Sequence, residues 1–281
     1  MPHLSSRAIM LRATEHGDYD KIITFFTVRR GKISVIAKGA KKSVKRFAGV
    51  LELFSVLNLV WSYGRGRGLP ILKEALLVNP FEEIRTNITM TAYASCWCEL
   101  VYAWMEQGQP QVSLYRLLEY TLDQLNSGNL SEHTLHITFQ LRFMTMIGFR
   151  PNLDHCNICR TPLERFGRPT VVFDVRRGGV LCDKCAPEKG GPFYLSMGTV
   201  KLLCWALNAP IRKLNRLRFS RQAIGESLVV LEAFVPYYLG KETKSLKFLR
   251  QLDSGLPGCF TKQTFQCIQH EGKARNVLKV N

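Results

Sequence analysis

Four cysteines in two identical pairs are the residues whose spacing most directly suggests a chemistry. Cys156 and Cys159 are separated by two residues, as are Cys182 and Cys185, and 22 residues lie between the pairs. Two such pairs can supply four thiolates in the tetrahedral arrangement that zinc favours. Because protein thiolates would fill every ligand position, no place remains for a catalytic water, and we expect structural Zn²⁺. Buried free thiols and redox-active pairs are the alternatives.

The segment between the two pairs must bring them together. "PTVVFDVRRGGVL" (169–181) predicts a strand, a Gly-Gly turn and a second strand, which would set one pair beside the other. The cysteines without a partner pair are Cys96, Cys98, Cys204, Cys259 and Cys267. The first three fall in apolar helical segments and are expected in the core.

A run of cations is the second chemical signal. Five of the nine residues 38–46 are basic and none is acidic: Lys38, Lys41, Lys42, Lys45 and Arg46. The whole chain carries a formal charge of +17, and residues 1–80 hold 14 Lys and Arg against five Asp and Glu. Such an excess indicates a polyanionic partner, which charge alone leaves open between nucleic acid, anionic membrane and acidic protein. A solvated charged loop is the plain alternative for the run itself.

The run follows the third of five short strand-like segments. Their positions are 8–13, 21–28, 32–39, 53–63 and 69–78. Five strands in about 80 residues suit a small barrel, and an OB barrel and an SH3-like barrel fit the pattern almost equally well. In an OB barrel the loops beside strands 2 and 3 bind single-stranded nucleic acid. The predicted nucleic-acid-binding residues are therefore the five cations above and two from the loop before the fifth strand, Arg65 and Arg67. Phe47 and Tyr63, near these loops, are the predicted stacking rings.

Helical patterns replace strands after residue 80. Three helical segments span 91–105, 113–125 and 131–149, and two more begin at 196 and 220. The predicted helix N-caps are Ser113, Ser131, Ser196 and Ser220. Pro236 should kink or end the last of these helices. A second basic stretch lies before and at the start of that helix and would hold another nucleic-acid strand or be a solvated surface: Arg212, Lys213, Arg216, Arg218 and Arg221.

Several signals are missing from the sequence. There is no HExxH, P-loop, GxSxG or Rossmann motif, so we expect no enzyme. A metalloenzyme that uses the cysteine site is the rival reading, and four thiolate ligands argue against it. No stretch approaches 18 consecutive apolar residues, and the opening "MPHLSSRAIM" has no apolar signal region. We therefore expect a cytoplasmic protein with no membrane partner.

Three segments, 11–54, 139–159 and 239–252, together resemble the RecO family of bacterial recombination mediators. "LRATEHGDYDKIITFFTVRRGKISVIAKGAKKSVKRFAGVLELF" (11–54) resembles the opening barrel of the family, with its T-x-x-x-G-K turn and its "AKGA" followed by basic residues. "FQLRFMTMIGFRPNLDHCNIC" (139–159) resembles the helix that leads into the family's zinc module. "LGKETKSLKFLRQL" (239–252) resembles its closing helix. The order and spacing of these segments extend the resemblance to about residue 253.

The resemblance implies an α+β, multidomain fold and a role in DNA repair. The fold would be an N-terminal five-stranded OB-fold barrel followed by an α-helical domain with an inserted four-cysteine zinc-finger module. The expected division is an OB-fold domain (1–80), the first part of the helical domain (81–150), the zinc-finger-like module (151–194), the second part of the helical domain (195–253) and a basic, flexible tail (254–281).

The resemblance also implies an activity and partners. RecO proteins bind single- and double-stranded DNA, anneal complementary strands, and act with RecR to load RecA onto DNA coated by single-strand-binding protein. By position, the cations of residues 38–46 match the family's basic segment after the third strand. A place in the bacterial cytoplasm, at the nucleoid, follows from that role. An RNA-binding OB-fold protein of RNA processing or translation is the alternative, because RNA presents the same phosphates.

Overall fold

A computed structural model describes residues 3–43, 46–64, 68–187 and 193–252. The chain divides into two compact units. The first contains the residues up to Phe139 together with Thr243–Leu249, and the second contains Gln140–Glu242 and the described residues from Arg250 onward. The run of cations belongs to the first unit and the four paired cysteines belong to the second. The five-part division of the chain inferred from the sequence stays a prediction.

Five strands of the first unit form a barrel. They are β1 (His3–His16), β2 (Asp20–Thr27), β3 (Gly31–Ala37), β4 (Val56–Ser62) and β5 (Ile71–Asn79). Their order is β1-β2-β3-β5-β4, and β4 pairs with β1, which makes the barrel closed. The β3–β5 pair is parallel and the other pairs are antiparallel. The five-stranded OB-like barrel expected from the sequence is therefore confirmed.

Alternation along the strands fills the barrel. In β3 the odd-numbered residues are buried and the even-numbered ones are partly exposed, as the period of a strand requires. Ile33 and Val35 thereby join Phe25 and Trp61 in one apolar cluster. Gly31 opens β3 with a φ of +60°, and a side chain there would overlap the backbone of Gln109. Only glycine meets both conditions, so this residue fixes where β3 begins.

Helices complete the first unit. They are α1 (Glu82–Thr86), α2 (Ile88–Trp104), α3 (Val112–Ser127), the first part of α4 (Glu132–Met146), and most of α7 (Lys244–Leu252). Ser131 accepts a hydrogen bond from the Thr134 N–H, as an N-cap does. Ser113 is not an N-cap, because α3 starts one residue earlier with Gln111 as its cap. An apolar residue at 112 extends the helix upstream of the serine.

The second unit joins a small sheet to two long helices. The sheet has the order β7-β6-β8, with β6 (Thr170–Asp174), β7 (Gly179–Leu181) and β8 (Tyr194–Ser196), and the helices are α5 (Met197–Asn208) and α6 (Arg221–Leu239). Ser196 and Ser220 cap α5 and α6, as predicted. None of the helices in the described ranges has the length and apolar character needed to cross a bilayer.

Of the kink or helix end predicted at Pro236, the helix end does not occur. The helix continues to Leu239 and stops at Gly240, whose φ is +67°. A proline removes the hydrogen bond to the carbonyl four residues earlier, which here belongs to Glu232. Arg250 Nη2 donates to that carbonyl at 3.4 Å. The substitute donor and the burial of Pro236 make the interior proline tolerable.

Candidate functional site

The four paired cysteines converge on one point. The Sγ atoms of Cys156, Cys159, Cys182 and Cys185 all lie within 4.8 Å of one another, and those of Cys159 and Cys182 are 3.5 Å apart. Four thiolates around a zinc ion with Zn–S bonds of about 2.3 Å would be about 3.8 Å apart. The donor set and its spacing therefore fit a tetrahedral metal site.

Backbone pairing with β7 brings the two cysteine pairs together. Asn152 N–H donates to the Gly178 carbonyl at 2.8 Å, and Val180 N–H donates back to the Asn152 carbonyl at 3.0 Å. Asn157, inside the first pair, donates to the Val180 carbonyl at 2.9 Å. A Cβ on Gly179 would lie 2.7 Å from the Asn152 carbonyl oxygen. The Gly-Gly turn predicted from the sequence therefore does two jobs, since it reverses the chain and admits the first pair beside the second.

Each pair is closed by short backbone hydrogen bonds. Arg160 N–H donates to the Cys156 carbonyl at 3.0 Å, and Arg160 adopts the left-handed conformation with a φ of +63°. Cys156 N–H donates to the Thr161 carbonyl at 2.8 Å. In the second pair, Ala186 N–H donates to the Cys182 carbonyl at 2.8 Å. These turns aim both sulfur atoms of each pair in one direction.

The pKa values of the thiols in the cluster are shifted in opposite directions. The hydrogen bond between Thr161 and the Cys159 sulfur, 3.1 Å long, lowers the pKa of Cys159 to about 6. The pKa of Cys185 rises to about 12, first because its thiol hydrogen-bonds to Cys159 and then because it is desolvated. Four adjacent thiols cannot all ionise by themselves. A divalent cation supplies the charge that holds all four as thiolates, so the chemistry of the donor set also fits a metal.

The other cysteines do not join this cluster. Cys96 and Cys98 are buried on α2, as predicted, and burial raises the pKa of Cys98. Cys204 is only half-buried, and its thiol donates to the Leu153 carbonyl at 3.4 Å. Cys259 and Cys267 lie outside the described residues. Within the described ranges, the four paired cysteines are the one group of three or more His, Cys, Asp or Glu residues arranged to hold a metal.

The cationic run forms an exposed turn at the end of β3. Lys38, Lys41, Lys42 and Arg46 are all exposed. The remaining predicted DNA-binding residues lie outside the described residues: Lys45, Arg65 and Arg67. We call residues 38–46 the basic loop. Its described cations share one surface segment of the first unit, as the sequence predicted, and whether they bind DNA stays a prediction.

The basic loop is docked on the turn between β1 and β2. Gly39 N–H donates to Asp20 Oδ1 at 2.7 Å, and Lys41 N–H donates to the Tyr19 carbonyl at 3.0 Å. Lys41 Nζ lies 3.0 Å from Glu15 Oε2 and donates to the Gly17 carbonyl at 3.1 Å. The hydrogen bond and charge of Lys41 lower the pKa of Glu15. Lys41 thus forms an ion pair and a hydrogen bond within the protein, although the sequence predicts a cation available to a partner.

The prediction that Phe47 is a stacking ring is wrong. Phe47 is buried in the barrel core, where it cannot stack on a base, and Arg46 lies over its ring at 4.3 Å. Tyr63 is 52% exposed and stays a candidate. Sequence reasoning missed Tyr19, which is 48% exposed with Lys42 Nζ 3.6 Å from its ring centre. The sequence did contain a signal for this residue. Because β2 pairs with both β1 and β3, the turn between β1 and β2 and the segment that follows β3 lie at the same end of the barrel.

Comparison with known proteins identifies the family. Residues 1–81 match the family described as "Recombination protein O N terminal", and residues 85–247 match "Recombination protein O C terminal". A protein of Desulfosudis oleivorans named DNA repair protein RecO is 43% identical over 257 residues, which cover 90% of this chain and 99% of the relative. Namesakes from Desulfatibacillum aliphaticivorans and Syntrophus aciditrophicus are 41% and 35% identical, over 90% and 88% of this chain and 98% and 95% of their own lengths.

This chain belongs to the RecO family. Its role is therefore in recombinational DNA repair. The resemblance drawn from the barrel, the helix before the cysteines and the closing helix is confirmed.

The second basic stretch of this RecO-family chain is exposed in the second unit. It occupies a 3₁₀ helix (Ile211–Arg216) and the start of α6. All five of its cations face solvent, while Leu214 and Leu217 hold the segment to the core. Exposure keeps both sequence-based interpretations open, a strand-binding surface and a solvated helix start.

Proposed function

We propose that this RecO-family protein binds single- and double-stranded DNA through the basic loop and anneals complementary strands. On this proposal it helps to load RecA onto DNA coated by single-strand-binding protein, together with RecR. The observation that carries the proposal is the placement of exposed cations on the barrel of a chain that belongs to this family. The second basic stretch is the proposed contact for the second strand.

Charge neutralisation supplies the mechanism. Two complementary strands repel each other through their phosphates, and cations bound to both strands lower that repulsion. Release of condensed counterions drives the binding, so affinity falls as salt rises. No covalent step and no nucleotide hydrolysis is needed. The protein acts by holding strands close together long enough for bases to pair.

The cysteine cluster has a structural part in the proposal. We infer that its four thiolates hold Zn²⁺, because a closed set of four sulfur ligands is typical of structural zinc sites. Such an ion would hold the first cysteine pair against the turn that joins β6 and β7. Metal analysis of the purified protein tests this inference, with one zinc per chain expected. A sub-stoichiometric content after preparation in zinc-containing medium would contradict it.

Strand annealing at several salt concentrations is the decisive experiment. Complementary DNA strands carrying a fluorophore and a quencher are mixed with purified protein in the absence of ATP. We expect rapid quenching that slows as salt rises. The variant Lys41→Gln, Lys42→Gln, Lys45→Gln, Arg46→Gln, called the loop variant below, should anneal more slowly. Tight single-strand binding without annealing would overturn the proposal.

The annealing assay also tests the second basic stretch, and a competition assay tests the RNA alternative. Replacing Arg212, Lys213, Arg216 and Arg221 by Gln should slow annealing while leaving the binding of one short strand intact, if that stretch holds the second strand. Competition between matched DNA and RNA oligonucleotides addresses the alternative function. A clear preference for RNA would place an RNA-binding role first, because a 2′-OH contact separates the two polymers.

A further inference from the structure

The exposed ring of Tyr19 has a position that the binding of phosphates does not explain. It lies in the turn between β1 and β2, and Lys42 of the basic loop lies 3.6 Å from its ring centre. Almost half of the side chain is open to solvent. A large aromatic ring beside a group of cations presents a π-face and positive charge together, and single-stranded nucleic acid offers bases and phosphates in the same combination.

The backbone around Tyr19 is held on both sides. The Tyr19 carbonyl accepts from Lys41 N–H at 3.0 Å, and Asp20 accepts from Gly39 N–H at 2.7 Å. Lys41 Nζ reaches across the turn to the Gly17 carbonyl at 3.1 Å and to Glu15. The ring is therefore presented by a fixed turn, so little conformational entropy is lost when a flat ligand packs against it.

Three acidic residues lie in or beside this turn: Asp18 is exposed, and the other two are engaged. Glu15 is paired with Lys41, and Asp20 accepts a backbone hydrogen bond. These contacts reduce the repulsion that carboxylates so close to the ring would exert on a phosphate. Lys41 thereby acts as a positioning residue for the turn, while the exposed ammonium of Lys42 is at the ring itself.

We propose that Tyr19 and Lys42 form a nucleotide subsite in which an unpaired base stacks on the face of the Tyr19 ring that Lys42 does not cover, and Lys42 contacts the adjacent phosphate. The inference rests on the proposed DNA-binding function and deepens it, because it assigns the two parts of a nucleotide to two residues. A base inside a duplex is already stacked and unavailable to the ring. The subsite therefore favours single-stranded over double-stranded DNA, while the cations of the basic loop serve both.

Binding of three fluorescent DNA ligands to the full chain tests the subsite. The ligands are a single-stranded oligothymidylate, an abasic strand of equal length, and a duplex. Removal of a stacking ring typically lowers affinity about 5- to 150-fold. Tyr19→Leu should weaken oligothymidylate binding at least about fivefold, leave the abasic strand and the duplex unchanged, and keep the same salt slope. Tyr19→Phe should bind like the parent protein.

Lys42→Gln separates the phosphate contact from the stacking contact. It should weaken all three ligands and reduce the salt slope for single strands by about 0.7, the value for one lost phosphate contact. Tyr194→Leu is the matched control, because that tyrosine is similarly exposed, at 52%, but lies on β8 in the second unit. It should change nothing. Equal melting temperatures will exclude loss of folding as the cause.

Two outcomes overturn the subsite. An equal loss of affinity for the abasic strand would establish that Tyr19→Leu acts through packing of the turn and not through stacking on a base. Unchanged oligothymidylate binding would also refute the assignment. In either case a weakened loop variant would leave the proposed function standing. Full binding by the loop variant would instead remove the DNA interface on which both proposals depend.

Discussion

The cysteine cluster and the basic loop place their functional groups in opposite ways. In the cluster, side chains from two distant segments meet within 4.8 Å, and backbone hydrogen bonds to β7 set their positions. In the basic loop, cations are spread over an exposed turn, and each described one is reached by solvent. We therefore expect removal of a group from the first region to act on folding, and removal of one from the second to act on the proposed DNA binding.

The difference shows what each region needs from the rest of the fold. Four adjacent sulfur atoms need a cation of high charge before all can be thiolates, so the cluster should gain stability from the proposed Zn²⁺. The basic loop needs only a stable barrel and a turn on which to dock. Changes in stability and in binding should thus separate cleanly between the two regions.

The largest loss of stability is expected from Cys182→Ser. A serine oxygen is a poor substitute for a thiolate on zinc, and structural zinc in finger peptides contributes about 10–16 kcal/mol of apparent binding free energy. Loss of such a site destabilises by about 4 kcal/mol or more, and we expect the first thermal transition to fall by about 10 °C. Differential scanning calorimetry with and without a chelator measures both effects.

Cys204→Ser is the matched control for that experiment. Its thiol lies in the same unit but outside the cluster, and a serine hydroxyl can also donate to the Leu153 carbonyl. Its transition should stay close to that of the parent, and a chelator should still lower it. Equal transitions for Cys182→Ser and the parent would refute a stabilising metal at the cluster.

Gly31→Ala should cause the next largest loss of stability. It acts on the barrel, at the first residue of β3, and the basic loop follows the other end of this strand. A positive φ costs a non-glycine residue about 1–2 kcal/mol, and here the new Cβ would also overlap the Gln109 backbone. We expect a loss of about 3 kcal/mol or more in urea unfolding. Gly128→Ala has a similar φ, +65°, with open space around it, and should show only the first part of this cost. Equal losses for both variants would contradict the overlap.

Acid sensitivity should distinguish a buried histidine from the cysteine cluster. Trp97 Nε1 donates to His136 Nδ1 at 3.1 Å, and burial, aided by the charge of His133, lowers the pKa of His136 to about 3. The unfolded chain protonates this histidine near its ordinary pKa of about 6.5, whereas the native protein does not. Stability from His136 is therefore complete above about pH 6.5 and is lost as pH falls toward 3, by up to about 1.4 kcal/mol per unit.

His136→Gln isolates this contribution. The amide oxygen can still accept from Trp97 and has no proton to gain. Between about pH 6.5 and 5.5 the parent should lose about 1 kcal/mol more stability than the variant in urea unfolding. A zinc-sensitive dye follows the cysteine cluster in the same samples, because its ligands must stay deprotonated. Identical pH slopes for parent and variant would assign the acid sensitivity to the cluster alone.

The two regions also differ in how far the sequence predicts them. A cysteine pair is a local unit, and the two-residue spacing together with Gly178–Gly179 sufficed to predict the convergence of the sulfur atoms. The engagement of the basic loop is not local. Lys41 pairs with Glu15, 26 residues earlier, and the contact exists only because β1, β2 and β3 are neighbours in the barrel.

Two details that the sequence does not reveal have the same physical origin. Phe47 follows a charged run and so suggests an exposed ring, but its N–H donates to Ser43 Oγ and the ring joins the barrel core. Pro236 suggests a kink or a helix end, but α6 continues through it, and Arg250 donates to the carbonyl that the proline leaves unpaired. In each case a contact with a residue elsewhere in the chain decides the outcome, and periodicity does not reveal it.

The loop variant should have the smallest effect on stability and a large one on binding. Its described positions are exposed, and exposed ion pairs such as that of Lys41 contribute little to folding. The melting temperature should therefore stay nearly unchanged. Affinity for a short single strand should fall, and the dependence of log affinity on log salt should flatten by about 0.7 for each lost phosphate contact. Fluorescence anisotropy across a series of salt concentrations measures the slope. A fall in melting temperature comparable to that of Gly31→Ala would mean that the loop supports the barrel, and unaltered affinity would mean that DNA binds elsewhere.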